Sequence, residues 1–417
     1  MLLGILKDTY PGERRVALVP ASLPPLTKAG FTFLIEPGAG ISAGHADAAY
    51  LEKGAQVASS RADVFAKADL LVQVRALGAD PNGAAADLPM FRQGQTLVAT
   101  CDPLSNPEPA RRFASSGGNA FALELAPRIT RAQSMDVLSS MATLAGYKAA
   151  LLAATNLPKI FPMMMTAAGT VTAARALVIG AGVAGLQAIA TCRKLGAVVS
   201  GYDVRAAVKE QVMSLGAKFV ELELETQTAE GKGGYAAAQD ETFLRRQREL
   251  MARVVADSDV VITTAAIPGK RSPVIVTADM VRGMAAGSVI VDLAAERGGN
   301  CELSRPDETV IENGVTILAP TNLPATVPMH ASQLFGRNVA NFLLLLVKDG
   351  KVRLDGEDEI LRETLLVREG ELAHPSIGGA SNAPTGATGA AAAATAATSA
   401  ASAATATTAT SAAPAAR

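Results

Sequence analysis

Three glycines at a fixed spacing mark the clearest candidate ligand site. Gly180, Gly182 and Gly185 form a G-x-G-x-x-G pattern that follows the apolar run ALVIG and opens a predicted helix. In such a turn the first glycine permits the bend, the second lets the backbone approach a pyrophosphate, and the third lets helix and strand pack closely. The amino terminus of the helix adds N–H groups and a positive dipole end. The pattern predicts a dinucleotide-binding turn.

An acid at the end of the next predicted strand, Asp203, fits the same site. A carboxylate there accepts both ribose hydroxyls and repels a 2′-phosphate, so it favours NAD over NADP. Arg205 is a contrary feature, because an arginine at this place binds a 2′-phosphate. We expect Val183, Ala184 and Val204 to contact the cofactor as well. The alternative interpretation is an ordinary glycine-rich turn between a strand and a helix.

A second group of polar side chains crowds a helix start in the segment PRITRAQSMDVLSS, namely Arg128, Arg131, Gln133, Asp136 and Ser139. Asp136 and Ser139 are three residues apart, so they share one helix face. Considered alone, the group suits either a ligand site or the solvated polar start of an amphipathic helix.

A third candidate is the loop EGKGGYAAAQ, which contains Gly231, Gly233, Gly234 and Tyr235. The glycines lower the cost of unusual backbone conformations, and the tyrosine offers one large amphipathic ring. Such a loop suits a lid that excludes water from a bound ligand. A solvated surface loop is the alternative.

The elements that must position these residues alternate between strands and helices, which indicates an α/β fold. Strands are predicted near the start of the chain at 2–6, 31–36, 69–74, 96–100 and 120–125. Towards the middle they are predicted at 176–180, 197–203, 218–222, 260–265, 288–294 and 315–319. Their Val- and Ile-rich runs are typical of strands covered on both faces. We predict two Rossmann-like, doubly wound parallel-sheet domains with a nucleotide cleft between them.

Two helices, starting near Ser134 and near His330, are predicted to connect these domains. The expected N-terminal domain comprises 1–140 plus 330–377, and the expected NAD-binding domain comprises 141–329.

The remaining residues, 378–417, are mostly Ala, Thr and Ser. We predict a disordered tail, because alanine buries too little surface to offset the entropy of ordering. A membrane span is the weaker alternative there, since the run lacks Leu, Ile, Val and Phe. No export signal and no run of about 18 strongly apolar residues is evident, so a soluble cytoplasmic protein is expected.

The overall charge excludes some partners. With 38 Lys and Arg against 39 Asp and Glu, the formal net charge is −1. A nucleic-acid binder or a polybasic membrane anchor would show a basic excess. The scattered cysteines, Cys101, Cys192 and Cys301, suggest reduced thiols, and their spacing predicts neither a disulfide framework nor a metal site.

The segment PRITRAQSMDVLSS closely resembles the loop that holds the nicotinamide in the NAD(H)-binding components of proton-translocating nicotinamide nucleotide transhydrogenases. The resemblance covers about residues 1–377. It extends to ERRVALVP at 13–20, SAGHADAAY at 42–50, AAIPGKRSP at 265–273, VDLAAERGGNCE at 291–302 and FLLLLVKDG at 342–350.

The resemblance implies roles for individual residues. Arg128, Asp136 and Ser139 would hold the nicotinamide carboxamide and adjoining groups, and Gln133 would reach toward a second nucleotide on another subunit. Tyr235 would belong to a mobile loop that closes over NAD, so these five residues form the predicted catalytic set. Further cofactor contacts are expected at Ile129, Thr130, Ser134, Met135, Gly234, Gln247 and Ala266.

The family fold that this sequence resembles also includes alanine dehydrogenases. The chain differs from those enzymes at the positions that would carry the proton-transferring residues. Those enzymes place a Lys in the strand that matches 71–75, where this chain has Arg75. They place a His after the strand that matches 96–100, where this chain has Cys101 and Asp102. Arg15 cannot act as a base and suits a fold or interface role. Structural or solvated positions are also expected for His45, His330 and His374.

Direct hydride transfer between two nicotinamides needs close positioning and no proton transfer at the reacting carbons. The resemblance therefore implies a soluble component that binds NAD(H) and exchanges hydride with NADP(H) held by a partner subunit. Membrane-spanning subunits would couple this reaction to proton translocation and hold the chain at the inner face of the cell membrane. A homodimer that binds no nucleic acid is expected. An alanine-dehydrogenase-like oxidoreductase and an NAD-sensing module are the alternatives.

Overall fold

The structure, a computed structural model, describes residues 1–221, 241–267 and 269–378, without the side chains of 241–248, 376 and 378. These described residues pack as one compact unit. The strands are β1 (Leu2–Ile5), β2 (Thr32–Ile35), β3 (Gln56–Val57), β4 (Leu70–Arg75), β5 (Thr96–Thr100), β6 (Asn119–Ala122), β7 (Met164–Thr166), β8 (Gly169–Val171), β9 (Arg175–Ile179), β10 (Val198–Tyr202), β11 (Lys218–Phe219), β12 (Val260–Thr263), β13 (Val289–Asp292), β14 (Thr309–Glu312), β15 (Val315–Leu318), β16 (Val347–Lys348), β17 (Lys351–Val352), β18 (Leu365–Arg368) and β19 (Glu371–Leu372).

The helices alternate with these strands as the sequence pattern predicts. They are α1 (Leu23–Lys28), α2 (Asp47–Leu51), α3 (Arg61–Lys67), α4 (Pro81–Asp87), α5 (Glu108–Ala114), α6 (Val137–Asn156), α7 (Val183–Lys194), α8 (Lys209–Ser214), α9 (Glu241–Ala256), α10 (Ala278–Arg282), α11 (Pro328–Leu346), α12 (Glu359–Thr364) and α13 (Pro375–Gly378).

The first large sheet has eight strands in the order β3-β2-β1-β4-β5-β6-β18-β19. Its first six strands in sequence are parallel, and β18 and β19 extend the sheet in antiparallel fashion beyond β6. The parallel strands have the doubly wound order 3-2-1-4-5-6, which reverses between β1 and β4. The sheet therefore has its topological switch point beside the ends of those two strands.

The second large sheet repeats this arrangement. Its order is β11-β10-β9-β12-β13-β15-β14, and all pairs are parallel except β14 with β15. Numbered from β9, the parallel strands begin with the same order, 3-2-1-4-5, and β15 takes the sixth place, with the reversal between β9 and β12. The predicted class of two Rossmann-like, doubly wound sheets is confirmed.

Both sheets are covered on both faces. In the first, α11 contributes Val339, Phe342 and Leu343 to the core on one face, while Phe65 and Phe113 lie in the core on the other. In the second, alanines of α6 and residues of α7 form one core, and α9 and α10 pack on the opposite face. The central strands are therefore buried, which explains their continuous apolar sequences.

The long connecting helices begin close to their predicted starts. A 3₁₀ helix over Thr130–Met135 precedes α6, and Asp136 caps α6 by accepting the Ser139 N–H at 2.8 Å. The other connecting helix, α11, begins at Pro328, two residues before its predicted start. Of the helices in the described ranges, α6 is the one whose length and mean hydropathy of 1.3 would suffice for a membrane span, contrary to the expectation of no such segment. It packs against α7 and α11, and 28% of its most apolar window is buried.

Several predicted strands have different ends in the structure, and some strands were not predicted. The strand predicted over 120–125 ends at Ala122, because a 3₁₀ helix follows it. The strand predicted over 218–222 spans only Lys218–Phe219. The domain boundaries at 140/141 and 329/330 stay a prediction, as does the disordered tail, of which all but Gly378, the last residue of α13, lies outside the described residues.

Candidate functional site

A cleft of about 800 Å³ lies at the carboxyl ends of both large sheets, next to their switch points. This is where open α/β sheets bind ligands, and the volume suits a cofactor-sized molecule. From the first sheet and its loops the cleft is lined by Tyr10, Arg15, Arg75, Thr100, Asp102 and Arg128, and from α6 by Leu138, Ser139 and Met141. From the second sheet and its loops it is lined by Gly180, Gly182, Tyr202, Asp203, Thr264, Ala266 and Leu293.

The glycine turn has the geometry that its sequence predicts. Gly180 has φ +95°, a backbone conformation that favours glycine. A Cβ on Gly185 would lie 1.8 Å from the Gly180 carbonyl oxygen, so the close helix–strand approach requires glycine there. A Cβ on Gly182 would meet no atom within 4 Å, so the backbone faces open space on the cleft side. No side chain caps the start of α7, so its first turn is available to an anionic ligand.

The neighbouring strand end is fixed by a buried amide. Thr264 donates its hydroxyl to the Gly180 carbonyl at 3.0 Å and so joins the ends of β12 and β9. Asn300, fully buried, accepts the Ala265 N–H at 2.9 Å and donates to the Ala265 carbonyl at 2.8 Å. This support places the predicted contact Ala266 on the cleft wall. Asn300 was not among the predicted residues, because its partners are distant along the chain.

Asp203 is already fully engaged within the protein. Its carboxylate accepts the Ala181 N–H at 2.7 Å and the Arg205 N–H at 2.9 Å. The Arg205 guanidinium adds Nε at 3.0 Å and Nη2 at 2.9 Å. A carboxylate has about four acceptor positions, so two ribose hydroxyls could bind only if the guanidinium moved. The predicted cofactor-binding residues Asp203, Val204 and Arg205 all line the cleft.

The predicted nicotinamide segment lies on the opposite wall. Arg128 and Ser139 line the cleft, whereas Asp136 lies behind Ser139, whose hydroxyl it accepts at 2.6 Å. Gln133 is exposed, and Met135 is buried in the core of the first sheet. The predicted contacts that do not line the cleft are Ile129, Thr130, Gln133, Ser134, Met135, Asp136 and Gly185, whereas Val183 and Ala184 do line it. Tyr235 and Gly234 lie outside the described residues, as does the side chain of Gln247.

Positive charge predominates on the cleft wall. Six arginines line it, against three carboxylates from Asp102, Asp203 and Glu296. Asp102 pairs with Arg297 across the cleft at 3.0 Å, and Arg75 lies 3.6 Å from Glu296. Among the described residues, no histidine, lysine or cysteine lines the cleft. The wall therefore suits an anionic ligand and offers few groups for proton transfer.

A buried carboxylate, Glu13, pairs with two arginines that line the cleft, Arg15 and Arg75. Glu13 accepts Arg15 Nε at 2.7 Å and Nη2 at 2.6 Å, and Arg75 Nε lies 3.3 Å away. Burial alone would raise the pKa of Glu13, but the hydrogen bonds and charge of Arg15 lower it to about 2. These contacts agree with a fold role for Arg15. The guanidinium of Arg75 also stacks over the Tyr10 ring at 4.5 Å.

A second buried acid, Glu124, was not identified from the sequence. One carboxylate oxygen accepts the N–H groups of Cys101 at 2.6 Å and Asp102 at 2.5 Å, and the other, Oε2, is buried without a hydrogen-bond partner. Burial raises the pKa of Glu124 to about 7, and the charge of Asp102 adds to the rise. Glu124 therefore fixes the loop that carries Asp102, and it does not line the cleft itself.

The two walls are joined by a glycine contact that was not predicted. A Cβ on Gly146 of α6 would lie 2.0 Å from the Ala184 carbonyl oxygen in the first turn of α7. The helix that begins at the predicted nicotinamide segment therefore packs directly on the glycine turn. The signal in the sequence that could have indicated this contact is a glycine, Gly146, inside an otherwise good helix sequence.

Two family descriptions match the chain. "Alanine dehydrogenase/PNT, N-terminal domain" matches residues 4–145, and "Alanine dehydrogenase/PNT, C-terminal domain" matches residues 149–375. An NAD(P) transhydrogenase alpha subunit from Rhodospirillum rubrum is 45% identical over 382 residues, which cover 91% of this chain and 99% of that protein. An alanine dehydrogenase from Bacillus subtilis is 26% identical over 385 residues, which cover 90% of this chain and 94% of that enzyme.

A solved structure agrees with the sequence comparison. A transhydrogenase from Sinorhizobium meliloti is 41% identical and superposes with a TM-score of 0.78 over 90% of this chain and 100% of that one. These similarities confirm the resemblance that the sequence motifs indicated. The chain belongs to the alanine dehydrogenase/PNT family, and its similarity is greater to transhydrogenase alpha subunits than to the alanine dehydrogenase.

Proposed function

We propose that this chain is the NAD(H)-binding component of a proton-translocating transhydrogenase and that it exchanges hydride directly with NADP(H) held by a partner subunit. The observation that carries the proposal is the 45% identity to a transhydrogenase alpha subunit along 99% of that protein. The cleft at two adjacent switch points, with its intact glycine turn, supports it. Bound NAD(H) would supply the transferable hydride.

The residues of the chain divide this task between the two cleft walls. The turn from Gly180 to Gly185 and the start of α7 would hold the pyrophosphate, and Asp203 would hold the adenosine ribose after Arg205 moves. Arg128 and Ser139, with Asp136 behind, would orient the nicotinamide end. Gln133 is exposed and so is accessible to a partner. For Tyr235, a closing role rests on the family resemblance.

The side chains on the cleft wall favour this reaction over amino-acid oxidation. Oxidising an amino acid requires a group that exchanges protons, usually a histidine or a lysine. Arg75 and Asp102 line the described cleft wall, and by the family resemblance they stand where alanine dehydrogenases carry those residues. Arg75 stays charged and is held beside Glu13, so it acts only as a fixed cation.

Partners follow from the same proposal. The NADP(H)-binding subunit would dock near the exposed Gln133, and membrane-spanning subunits would couple the reaction to proton flow. The chain would then lie at the inner face of the cell membrane, held there through those subunits.

We also propose that the chain forms a homodimer through the hairpin of β7 and β8. Both strands are exposed along their length, with Met164 46%, Met165 75% and Val171 45% accessible. An isolated two-stranded hairpin is marginally stable in water, so this one needs a covering surface. A second copy of the chain is the proposed covering surface, because the hairpin comes directly after a segment that lines an apolar groove. That groove includes Leu157, Ile160 and Leu195.

The test of function is reduction of an NAD analogue by NADPH. Purified chain alone should be silent, and activity should appear when it is added to membranes from the source cell after deletion of this gene. Silence in both, despite measurable NADH binding, would contradict the proposal. Alanine-dependent NADH production by the chain alone would instead support the dehydrogenase alternative, and binding without turnover in any mixture would support the sensor.

The test of the dimer is the molar mass of the Met165→Asp variant in solution. A buried charge at this position should convert a dimer to a monomer. Ile311→Asp is the matched control, because Ile311 is 71% exposed on the edge strand β14. Unchanged mass in the Met165 variant, or a monomeric parent chain, would refute the hairpin interface.

A further inference from the structure

Two amide side chains of α11 hold one backbone carbonyl of the predicted nicotinamide segment. Asn338 donates through Nδ2 to the Ser134 carbonyl oxygen at 2.8 Å, and Asn341 donates to the same oxygen at 3.0 Å. The two asparagines are three residues apart, so they project from one face of the helix. The carbonyl lies between the exposed Gln133 and the cap residue Asp136, so its position affects both.

The same segment is fixed on its other sides. Arg131 forms a two-pronged ion pair with Asp358, with N–O distances of 2.6 and 3.1 Å. Ala132 and Met135 are buried in the core of the first sheet. The backbone of a short 3₁₀ helix is thus held by a carbonyl contact, an ion pair and two apolar anchors, while Gln133 remains exposed.

Asn338 is poorly explained as a residue of the core alone. Its side chain is 6% exposed, and its Oδ1 is buried without a hydrogen-bond partner. A buried acceptor without a partner destabilises the folded state, whereas an apolar residue would avoid that cost. The amide is therefore best explained by what its Nδ2 does at the Ser134 carbonyl.

We infer that Asn338 and Asn341 are positioning residues for hydride transfer, an inference that rests on the proposed function. They fix the segment 130–136, so that Gln133 and Asp136 are placed before the partner subunit docks. Hydride transfer is sensitive to such placement, because a displacement of about 1 Å at a reacting site can lower the rate roughly 100-fold.

The predicted signature is a separation of turnover from affinity. The proposed pyrophosphate and adenosine sites lie on the other wall, at Gly180–Gly185 and Asp203. Loosening the segment 130–136 should therefore lower kcat strongly and change the NADH Kd little. Since both amides donate to one carbonyl, each single variant keeps one contact, and the double variant should lose more than the two single losses combined.

The experiment compares full-length Asn338→Ala, Asn341→Ala and the double variant with the parent chain in the membrane assay. NADH Kd by nucleotide fluorescence and the melting temperature are measured on each chain alone. Gln95→Ala is the matched control, because Gln95 is also a buried amide that donates to two carbonyls, at 2.9 and 2.8 Å. It precedes β5, at the end of that strand opposite the cleft-lining Thr100.

We expect kcat of the double variant to fall by about tenfold or more, with a Kd change under about threefold and kcat of the Gln95 variant close to the parent value. Unchanged kcat in the double variant, an equal loss in the Gln95 variant, or a loss confined to Kd would overturn the inference. If the double variant does not fold, the two single variants decide, because each removes one of the two contacts. A lower kcat in both with little change in Kd supports the inference, and an unchanged kcat in both overturns it. An inactive parent chain would overturn the proposed function as well, and so is distinguishable from failure of the inference alone.

Discussion

The contact between Asp203 and Arg205 makes a quantitative prediction about nucleotide preference. In Asp203→Asn, the amide oxygen still accepts the Ala181 N–H, so the glycine turn keeps its support. One charge-assisted hydrogen bond to a ribose hydroxyl is lost, which costs about 2 kcal/mol, or roughly 30-fold in NADH affinity. The Arg205 guanidinium also loses the carboxylate that holds it at 2.9 and 3.0 Å.

NADPH should respond in the opposite direction. Two unit charges about 5 Å apart repel by about 3 kcal/mol at an effective dielectric constant near 20, so removing the Asp203 charge relieves repulsion of a 2′-phosphate by about that amount. The released guanidinium of Arg205 adds attraction. The ratio of NADH to NADPH affinity should therefore fall by roughly 1,000-fold or more, as the product of the two effects.

The assay is fluorescence titration of the purified chain with each nucleotide. Adding Arg205→Gln to the Asp203 variant should remove the part of the NADPH gain that Arg205 contributes, and leave both the gain from relieved repulsion and the NADH loss. Asp259→Asn is the matched control, because Asp259 also accepts a backbone N–H, from Arg175 at 2.8 Å, and a cation, Lys159 at 2.8 Å. It lies at the amino end of the same sheet. A change in the affinity ratio below tenfold in the Asp203 variant would refute the reasoning.

Three further outcomes are expected. Gly146→Ala should displace the first turn of α7, because its Cβ would lie 2.0 Å from the Ala184 carbonyl oxygen. Titration should show NADH affinity weakened by about tenfold, and the melting temperature should fall. Unchanged affinity would contradict the coupling of the two cleft walls. Glu124→Gln should stabilise the chain relative to the parent at pH 8 but not at pH 4, by at most about 3 kcal/mol in urea unfolding. Burial raises the native pKa of Glu124 from 4.5 to about 7, so the parent loses stability as pH rises between those values. A pH-independent difference would show that Glu124 does not titrate there. Arg297→Gln should change the NADH Kd by less than about fivefold, and about 0.5 M salt should abolish the effect. The reason is that the ion pair of Arg297 with Asp102 is about one-third exposed to solvent. A large effect that persists in salt would indicate a direct contact between Arg297 and the ligand.

The central strands were predictable because their information is local. Runs such as ALVIG and SVIVDLA are continuous and β-branched, which is typical of strands buried on both faces. The outer strands β3, β14, β18 and β19 and the hairpin of β7 and β8 were not predicted. β3 and β19 have only two residues each, β14 is half-exposed, and the hairpin strands are exposed. β18 is mostly buried, but like the other outer strands it exists because another segment pairs with it.

The candidate site likewise has one part that the sequence predicts and another that it does not. The glycine turn is a local pattern of backbone demands, so Gly180, Gly182 and Gly185 could be placed from sequence alone. That Arg205 occupies the acceptor positions of Asp203 depends on a side-chain conformation, which no spacing encodes. The hydrogen bond from Asn338 to the Ser134 carbonyl likewise joins residues that are far apart in the chain and become adjacent only after folding.

The order of strands in the first sheet has a consequence for how the chain is made. The neighbour of β6 is β18, which leaves the ribosome about 240 residues later, roughly 12–48 s at ordinary synthesis rates. Throughout that interval the edge of β6 lacks its antiparallel partner, and Phe121 lacks the ring of Phe342 that packs on it at 5.7 Å. The nascent amino-terminal half therefore exposes an apolar strand edge that invites pairing with other chains. The edge of β6 is covered only after the whole second sheet has been synthesised.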